Sequence, residues 1–237
     1  ARPPPPIVLL GPDGVATWHK SVQVGAALRV TPIRLKRAQY EHYLRLRQAG
    51  EKQLLTFLSG KGGVGKSTII ELLVQEWRSR GLRVIVTASS GKAARLIGGW
   101  TVHKAFKLSC DGLFQRATLE GEQASAHFAW LARADIVVID EISMLTADAF
   151  DGVNEALGFA MKHATTLRGH CSFGMKSVLL AGDLYQLPAV ERLYFREQIY
   201  ESELWPEFKF AELSEICRVD PAEVEFTALL SRARRGH

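Results

Sequence analysis

The stretch from Leu54 to Ser79 constrains the fold of this chain more than any other. An apolar run, LLTFL, leads directly into the octapeptide GKGGVGKS, which spans Gly60–Ser67 and fits the pattern G-x-x-x-x-G-K-[ST] without exception. Glycines at this spacing let successive backbone N–H groups turn toward an anion, and the helix that follows directs its positive end at the same point. The segment therefore predicts a strand, a phosphate-binding loop and a helix over Lys66–Ser79.

The loop also predicts which side chains handle a nucleotide. Lys66 is expected to reach the β- and γ-phosphates of ATP, and the Ser67 hydroxyl to ligate Mg²⁺. The other predicted nucleotide-binding residues are Gly60, Gly62, Gly63, Val64, Gly65 and Thr68. The same letters match the deviant loop of the ParA/MinD ATPases, in which an earlier lysine, here Lys61, acts on the nucleotide of a partner subunit. The loop alone leaves both classes open.

Two adjacent acidic residues end a second apolar segment. The run IVVIDE places Asp140 and Glu141 at the end of a predicted strand. The first acid can hold the water shell of Mg²⁺, and the second can orient or deprotonate an attacking water. Adjacent strand residues point to opposite faces, so both acids must act from the strand tip. The pair weighs against the ParA/MinD class, whose corresponding strand usually ends in aspartate alone.

Alternating strands and helices predict the architecture. Further strands are predicted at 83–88, 135–140 and 177–181, and helices at 34–49, 91–98, 125–133, 146–163 and from 220 onward. This alternation indicates an α/β fold in which helices cover both faces of a parallel sheet. We expect one domain over residues 31–237. Residues 1–30, which include the polyproline run Pro3–Pro6, are expected to form a linker and an N-terminal extension.

Composition narrows the class of protein. The chain has 237 residues, 47% of them hydrophobic and 23% charged, which excludes a disordered protein, a collagen and a disulfide scaffold. Its three cysteines lack CxxC spacing, which argues against a zinc site and for a reducing compartment. No apolar run is long enough for a membrane span, so we expect no membrane partner. Residues 1–190 carry a net charge of +8, which permits a polyanionic partner.

In combination the motifs resemble the superfamily 1B DNA helicases of the petite integration frequency (PIF) type. The resemblance covers roughly residues 35 to 236 and rests on the order of the phosphate loop, TASSGKAA from Thr87, DEISML from Asp140 and GDLYQLP from Gly182. It implies a P-loop NTPase fold of the RecA-like type, in which Asp140 and Ser67 serve the metal.

The resemblance also implies roles that the residues alone do not show. By itself Gln186 is a polar turn residue; in the family the matching glutamine touches the γ-phosphate and a water. Gln39 resembles the glutamine that reads the adenine edge. Arg218 lies in a stretch near 213–236 that looks like the start of the fourth helicase motif, where an arginine faces the γ-phosphate. With Lys66, Asp140 and Glu141, these residues complete the predicted catalytic and nucleotide-binding set.

The implied polymer partner is single-stranded DNA. The residues expected to contact it are Thr87, Ser89, Lys92, Thr101 and His103. Trp100 either stacks on a base or packs at the surface, whereas Trp77 and Trp130 are expected to be core or structural residues. The implied activity is ATP-driven 5′→3′ translocation with strand separation, in DNA repair, recombination or replication. An intracellular location is expected, in the nucleus or mitochondrion of a eukaryote.

Motors of this kind carry a second RecA-like domain with two further motifs, which residues 1–237 lack. We expect that domain to be supplied in cis or in trans. Residues 1–237 alone are expected to bind ATP, to hydrolyse it weakly and not to unwind DNA. Two other functions stay open: a ParA/MinD-type ATPase switch, and a non-catalytic nucleotide-binding remnant of a mobile-element or viral protein.

Overall fold

The structure, a computed structural model, describes ten segments of the chain: residues 7–10, 16–24, 27–35, 44–46, 48–49, 53–60, 63–115, 122–164, 172–186 and 197–213. Among these residues no helix is both long enough and apolar enough to cross a membrane.

A small antiparallel sheet comes first in the chain. Its strands β1 (Ile7–Leu10), β2 (Ala16–Val24) and β3 (Ala27–Leu35) pair in the order β1-β2-β3. The sheet occupies most of the segment predicted as a linker and extension, and the predicted domain boundary at residue 31 falls inside β3. The prediction of a helix from residue 34 is wrong at its start, because Arg34 and Leu35 end β3. The β-branched residues just before them favour extended backbone.

A six-stranded parallel sheet follows. Its strands are β4 (Leu55–Gly60), β5 (Val84–Ala88), β6 (Trp100–Thr101), β7 (Ile136–Asp140), β8 (Ser177–Gly182) and β9 (Lys209–Leu213). They lie in the order β6-β5-β7-β8-β4-β9, and every neighbouring pair is parallel. The helices between them are α1 (Lys66–Ser79), α2 (Gly91–Leu96), α3 (Val102–Phe106), α4 (Glu122–Arg133) and α5 (Ala147–Ala164).

Helices cover both faces of this sheet because alternate strand residues pack on opposite sides. On β7, Val137 belongs to a buried cluster that includes Phe150 of α5, whereas Val138 belongs to a second cluster that includes Trp77 of α1. The predicted α/β fold with a parallel sheet between helices is thus confirmed. Trp77 is 1% exposed, as expected for the core. Trp130 is 38% exposed and therefore lies outside the core.

The strand order places the predicted motifs at one edge of the sheet. The strand that enters the phosphate loop, β4, is separated from β7 only by β8. In a parallel sheet the carboxyl ends of all strands meet at the same edge, and ligands of open α/β sheets bind there. The phosphate loop, the acidic pair and the turn after β8 therefore converge.

Candidate nucleotide and nucleic-acid site

The phosphate loop has the backbone that anion binding needs. Gly63 and Gly65 have φ values of 86° and 88°, a left-handed region that L side chains rarely adopt. Gly65 is also the N-cap of α1, and no side chain caps the helix there. The first N–H groups of a helix need partners, and an anion at the N-terminus supplies them. The local structure thus fits a bound phosphate.

Gly60 is required by close packing rather than by its φ angle. A Cβ atom at this position would lie 2.6 Å from Cγ2 of Val64 and 2.8 Å from the carbonyl oxygen of Leu213. Val64 is fully buried and anchors the loop against β9 and α1. The loop therefore enters its turn through a position that only glycine fits.

The Lys66 side chain reaches back to the first residue of the loop. Its Nζ donates a hydrogen bond of 2.5 Å to the Gly60 carbonyl oxygen. Ser67 is exposed and Thr68 is half-buried at the first turn of α1. The side chains predicted for the phosphates and for Mg²⁺ consequently sit together at the positive end of one helix.

Asp140 ends β7 within electrostatic reach of Lys66. Its side chain is 5% exposed and accepts a hydrogen bond of 2.9 Å from the backbone N–H of Glu141. Burial raises the pKa of the Asp140 carboxyl from 3.8 to about 6; the Glu141 N–H opposes this rise, the Glu141 charge adds to it and the Lys66 ammonium opposes it. A divalent cation would offset the burial cost and keep the carboxylate ionised.

Glu141 adopts an unusual backbone conformation. Its φ is 55°, in the left-handed region, and a 3₁₀ turn over Ile142–Met144 follows. A non-glycine residue in this region costs roughly 1–2 kcal/mol, and such strain is found where surrounding contacts hold it. Here Ser89 donates two hydrogen bonds: its Oγ to the Glu141 carbonyl oxygen at 2.5 Å and its N–H to the Asp140 carbonyl oxygen at 3.1 Å.

An open cavity of about 590 Å³ is lined both by residues predicted for ATP hydrolysis and by a residue predicted for DNA binding. The residues that line it come from α2 and its N-cap, from the tip after β7 and from the turn after β8: Ser90, Lys92, Ala93, Leu96, Glu141, Ser143, Met144, Tyr185 and Gln186. The predicted catalytic Glu141 and Gln186 thus face the same space as the predicted DNA contact Lys92. We call this space the motor cleft.

The structure contradicts the predicted role of Thr87 as a DNA contact. Its side chain is 0% exposed, and its hydroxyl donates a hydrogen bond of 2.8 Å to the Val138 carbonyl oxygen. The physical reason is its position in β5, which is flanked by β6 on one side and β7 on the other. Thr87 therefore joins strands and cannot reach a ligand from this position.

The other predicted DNA contacts lie nearer the surface. Lys92 is exposed, and Ser89, Thr101 and His103 are half-buried. The Thr101 hydroxyl accepts the Lys104 N–H at 3.4 Å and so caps α3. These four remain predictions. Sequence reasoning missed Ser90, which caps α2 through the Ala93 N–H and lines the motor cleft, although it lies inside the TASSGKAA motif.

Several predicted residues lie outside the part of the chain that the structure describes. These are Gln39, Lys61, Gly62, Arg218 and the helix predicted from residue 220. Within the described segments, no group of three or more His, Cys, Asp or Glu residues is placed to hold a metal ion. In phosphoryl-transfer sites Mg²⁺ is usually bound by one or two protein groups together with nucleotide oxygens and water.

Comparison with protein families agrees with the geometry. A family model described as PIF1-like helicase matches residues 35–232. The ATP-dependent DNA helicase Pif1 of Campylobacter jejuni is 32% identical over 194 residues, which are 76% of this chain and 40% of that protein. The ATP-dependent DNA helicase PIF4 of Trypanosoma brucei brucei is 37% identical over 134 residues, which are 55% of this chain and 16% of that protein.

Solved structures give the same picture. Bacteroides Pif1 bound to single-stranded DNA superposes with a TM-score of 0.68 at 27% identity, over 85% of this chain and 46% of that one. Bacteroides Pif1 in complex with ADP-AlF3 and single-stranded DNA gives 0.69 at 26% identity, over 86% and 47%. The chain spans less than half the length of these relatives. The comparisons favour the helicase interpretation over the ATPase switch and the non-catalytic remnant.

Proposed function

The chain belongs to the PIF1-like helicase family, and from this premise we propose that it is the first RecA-like motor domain of an ATP-dependent DNA helicase. It binds Mg²⁺-ATP at the N-terminus of α1 and single-stranded DNA beside the motor cleft. The observation that carries the proposal is the cleft itself, in which Glu141 and Gln186 face the same space as Ser90 and Lys92.

The nucleotide part of the proposal follows from charge placement. Lys66 and the backbone N–H groups at the start of α1 neutralise the phosphates. Ser67 and Asp140 hold Mg²⁺, which when bound supplies positive charge to the phosphate oxygens. Glu141, which lines the cleft, accepts a proton from the attacking water.

The coupling part follows from the turn after β8. Gln186 is exposed, and its backbone N–H is held by the Asp183 carbonyl oxygen at 2.9 Å. Asp183 is 2% exposed, so this turn is anchored while Gln186 projects into the cleft. A glutamine so placed can bind a γ-phosphate oxygen and release it after hydrolysis. DNA held on the opposite wall of the cleft then senses the nucleotide state.

The rim of the cleft supports a second RecA-like domain as partner, in cis or in trans. Leu96, Met144 and Tyr185 line the cleft and are 80%, 40% and 69% exposed. Large apolar groups gathered around a functional cavity mark an interaction surface. Closure of a second domain over this rim would exclude water from the nucleotide. The whole helicase would then translocate 5′→3′ on DNA in repair, recombination or replication.

The test is ATP hydrolysis by residues 1–237 with and without oligo(dT), for the wild type and for Glu141→Gln. We expect weak hydrolysis that oligo(dT) accelerates, and a loss of at least about 100-fold in Glu141→Gln with Mg²⁺-ATP binding retained. Lys66→Ala is the control that loses binding itself. Hydrolysis that neither DNA nor Glu141→Gln changes would refute the proposal, as would robust strand displacement by residues 1–237 alone.

A further inference from the structure

Two exposed tryptophans form an aromatic cluster at the edge of the large sheet. Trp100, on the edge strand β6, is 49% exposed, and Trp130, on α4, is 38% exposed. Their ring centroids are 6.4 Å apart. The Nζ atom of Lys104 lies 4.6 Å from the Trp100 ring centroid, and the His127 ring centroid lies 5.4 Å from that of Trp130. The fold thus leaves two of its largest rings open to solvent beside a cation.

A basic cavity adjoins this cluster. It has a volume of about 400 Å³, and its lining includes Arg78, Arg83, Arg133 and Trp130. Arg78 and Arg133 lie in the last turns of α1 and α4, where a cation stabilises the helix dipole. Arg83 lies in no helix, so the dipole does not explain its placement.

The Asp135 side chain interacts with groups other than the guanidinium of Arg83. The Asp135 carboxylate accepts the backbone N–H of Arg83 at 2.7 Å, and its charge also acts on the buried Lys176. The described residues that line the cavity thus include three arginines and no acidic residue. Trp130 belongs both to the cavity and to the aromatic cluster, so the two features are continuous.

We propose that Trp100, Lys104, Trp130 and the three arginines form a second contact surface for single-stranded DNA, which we call the edge surface. The inference rests on the proposed function, because it extends the DNA path from the motor cleft past Thr101, the neighbour of Trp100. Every base presents a face that stacks on an aromatic ring, and the planar guanidinium fork fits phosphate oxygens. Alternating rings and cations at this spacing suit a polynucleotide better than an apolar protein partner.

The edge surface differs in kind from the motor cleft. The cleft offers hydroxyls, backbone groups and Lys92, which hold the sugar–phosphate backbone, and the Tyr185 ring belongs to the rim proposed to meet the second domain. The edge surface offers rings, which hold bases without sequence preference. Lys104, over Trp100, keeps a cation beside any base stacked there. Binding at the edge surface should therefore depend on bases being present and on oligonucleotides long enough to reach beyond the cleft.

The experiment measures dissociation constants for short and long oligo(dT), and for a long oligonucleotide with abasic sites, by fluorescence anisotropy. Trp100→Ala and Trp130→Ala should each weaken binding of long oligo(dT) about tenfold, and abasic sites should weaken the wild type similarly. Binding of short oligo(dT) should be unchanged. Arg83→Ser should reduce the slope of log K against log salt by about 0.7. Trp130→Phe, which keeps a ring, should retain most of the affinity.

Matched controls lie elsewhere on the fold. Tyr200→Ala removes a ring that is 48% exposed, and Lys209→Ser removes a cation on β9, at the opposite edge of the sheet. Neither should change DNA binding. If Trp100→Ala, Trp130→Ala and Arg83→Ser all bind long oligo(dT) as tightly as the wild type, the edge surface does not bind DNA. The proposed function would still stand, and a protein would be the candidate partner of this surface. A wild type that binds Mg²⁺-ATP but no oligo(dT) of any length would overturn both the edge surface and the proposed function.

Discussion

The Ser89 hydroxyl donates a hydrogen bond of 2.5 Å to the backbone carbonyl oxygen of Glu141. Together with the bond from the Ser89 N–H to the Asp140 carbonyl oxygen, it ties the loop after β5 to the tip of β7. The first loop resembles a single-strand-binding motif and the second holds the predicted catalytic acids. A displacement of either loop should therefore displace the other.

Ser89→Ala should lower the turnover number of ATP hydrolysis about tenfold and leave the affinity for Mg²⁺-ATP unchanged. The reason is that the lost hydrogen bond, worth about 1–1.5 kcal/mol, holds the left-handed backbone from which Glu141 acts. Steady-state hydrolysis and equilibrium nucleotide binding separate the two effects. Ser89→Thr keeps the hydroxyl and should behave like the wild type. Weakened ATP binding with an unchanged turnover number would argue against this role.

Glu141→Gly should stabilise the fold while abolishing hydrolysis. Glycine adopts a φ of 55° without the Cβ clash, although it also gains entropy in the unfolded chain, so the net gain is at most about 1 kcal/mol. Urea unfolding measures the difference against Glu141→Gln, which abolishes the carboxylate but keeps the strained backbone. Equal stability of the two variants would show that residue 141 is not strained.

Gly60→Ala should reduce the affinity for Mg²⁺-ATP by at least about tenfold. The added Cβ would lie 2.8 Å from the Leu213 carbonyl oxygen, and the loop must move to relieve this contact. Titration with a fluorescent ATP analogue measures the loss. In the control Gly158→Ala, the new Cβ meets nothing within 4 Å inside α5, so that variant should gain up to about 1 kcal/mol of stability and bind ATP normally. Unimpaired binding by Gly60→Ala would contradict the packing argument.

Lys176 should make stability rise with pH above neutrality. Its side chain is 4% exposed and donates hydrogen bonds to the Ala132 and Ala134 carbonyl oxygens at 2.8 and 2.7 Å. Burial lowers the pKa of Lys176 from 10.5 to about 8, although the Asp135 charge opposes the shift. Below pH 8 the folded state bears the full cost of the buried charge. Above pH 8 the folded lysine is neutral while the unfolded one stays protonated, so the free energy of unfolding rises with pH and levels off near pH 10.5.

The wild type should therefore gain about 2 kcal/mol of unfolding free energy relative to Lys176→Met between pH 8 and pH 10. Urea unfolding at several pH values measures this gain, and the comparison removes the contribution of other titrating groups. Lys162→Met, which removes an exposed lysine of α5, is the matched control variant. A constant difference between the wild type and Lys176→Met would contradict the shifted pKa.

The central strands and the helix after the phosphate loop were predictable because their signals are local. The strand β7 is five buried residues in succession, and α1 spans the predicted residues Lys66–Ser79. By contrast, β6 has only two residues, and three of the five residues of the edge strand β9 are exposed. Such short or edge strands are defined by their partners, which lie far away in sequence.

The candidate site shows the same division. Motif spacing predicted roles for Lys66, Asp140 and Glu141, because phosphate chemistry favours those residue types. It misassigned Thr87, because a motif carries no information about depth, and only pairing with β6 and β7 reveals that this side chain is internal. The bond from Ser89 to Glu141 joins residues 52 apart in sequence and required the sheet order to be known.

We propose that the binding of nucleotide and the binding of single-stranded DNA are coupled around the motor cleft. The most direct test is the dissociation constant for oligo(dT) with and without Mg²⁺-ATP, in the hydrolysis-deficient Glu141→Gln variant, together with the reverse titration. Linkage requires the two affinities to change by the same factor, and we predict a change of at least about fivefold. Equal affinity for oligo(dT) in the presence and absence of Mg²⁺-ATP would show that the binding of nucleotide and the binding of DNA are not coupled.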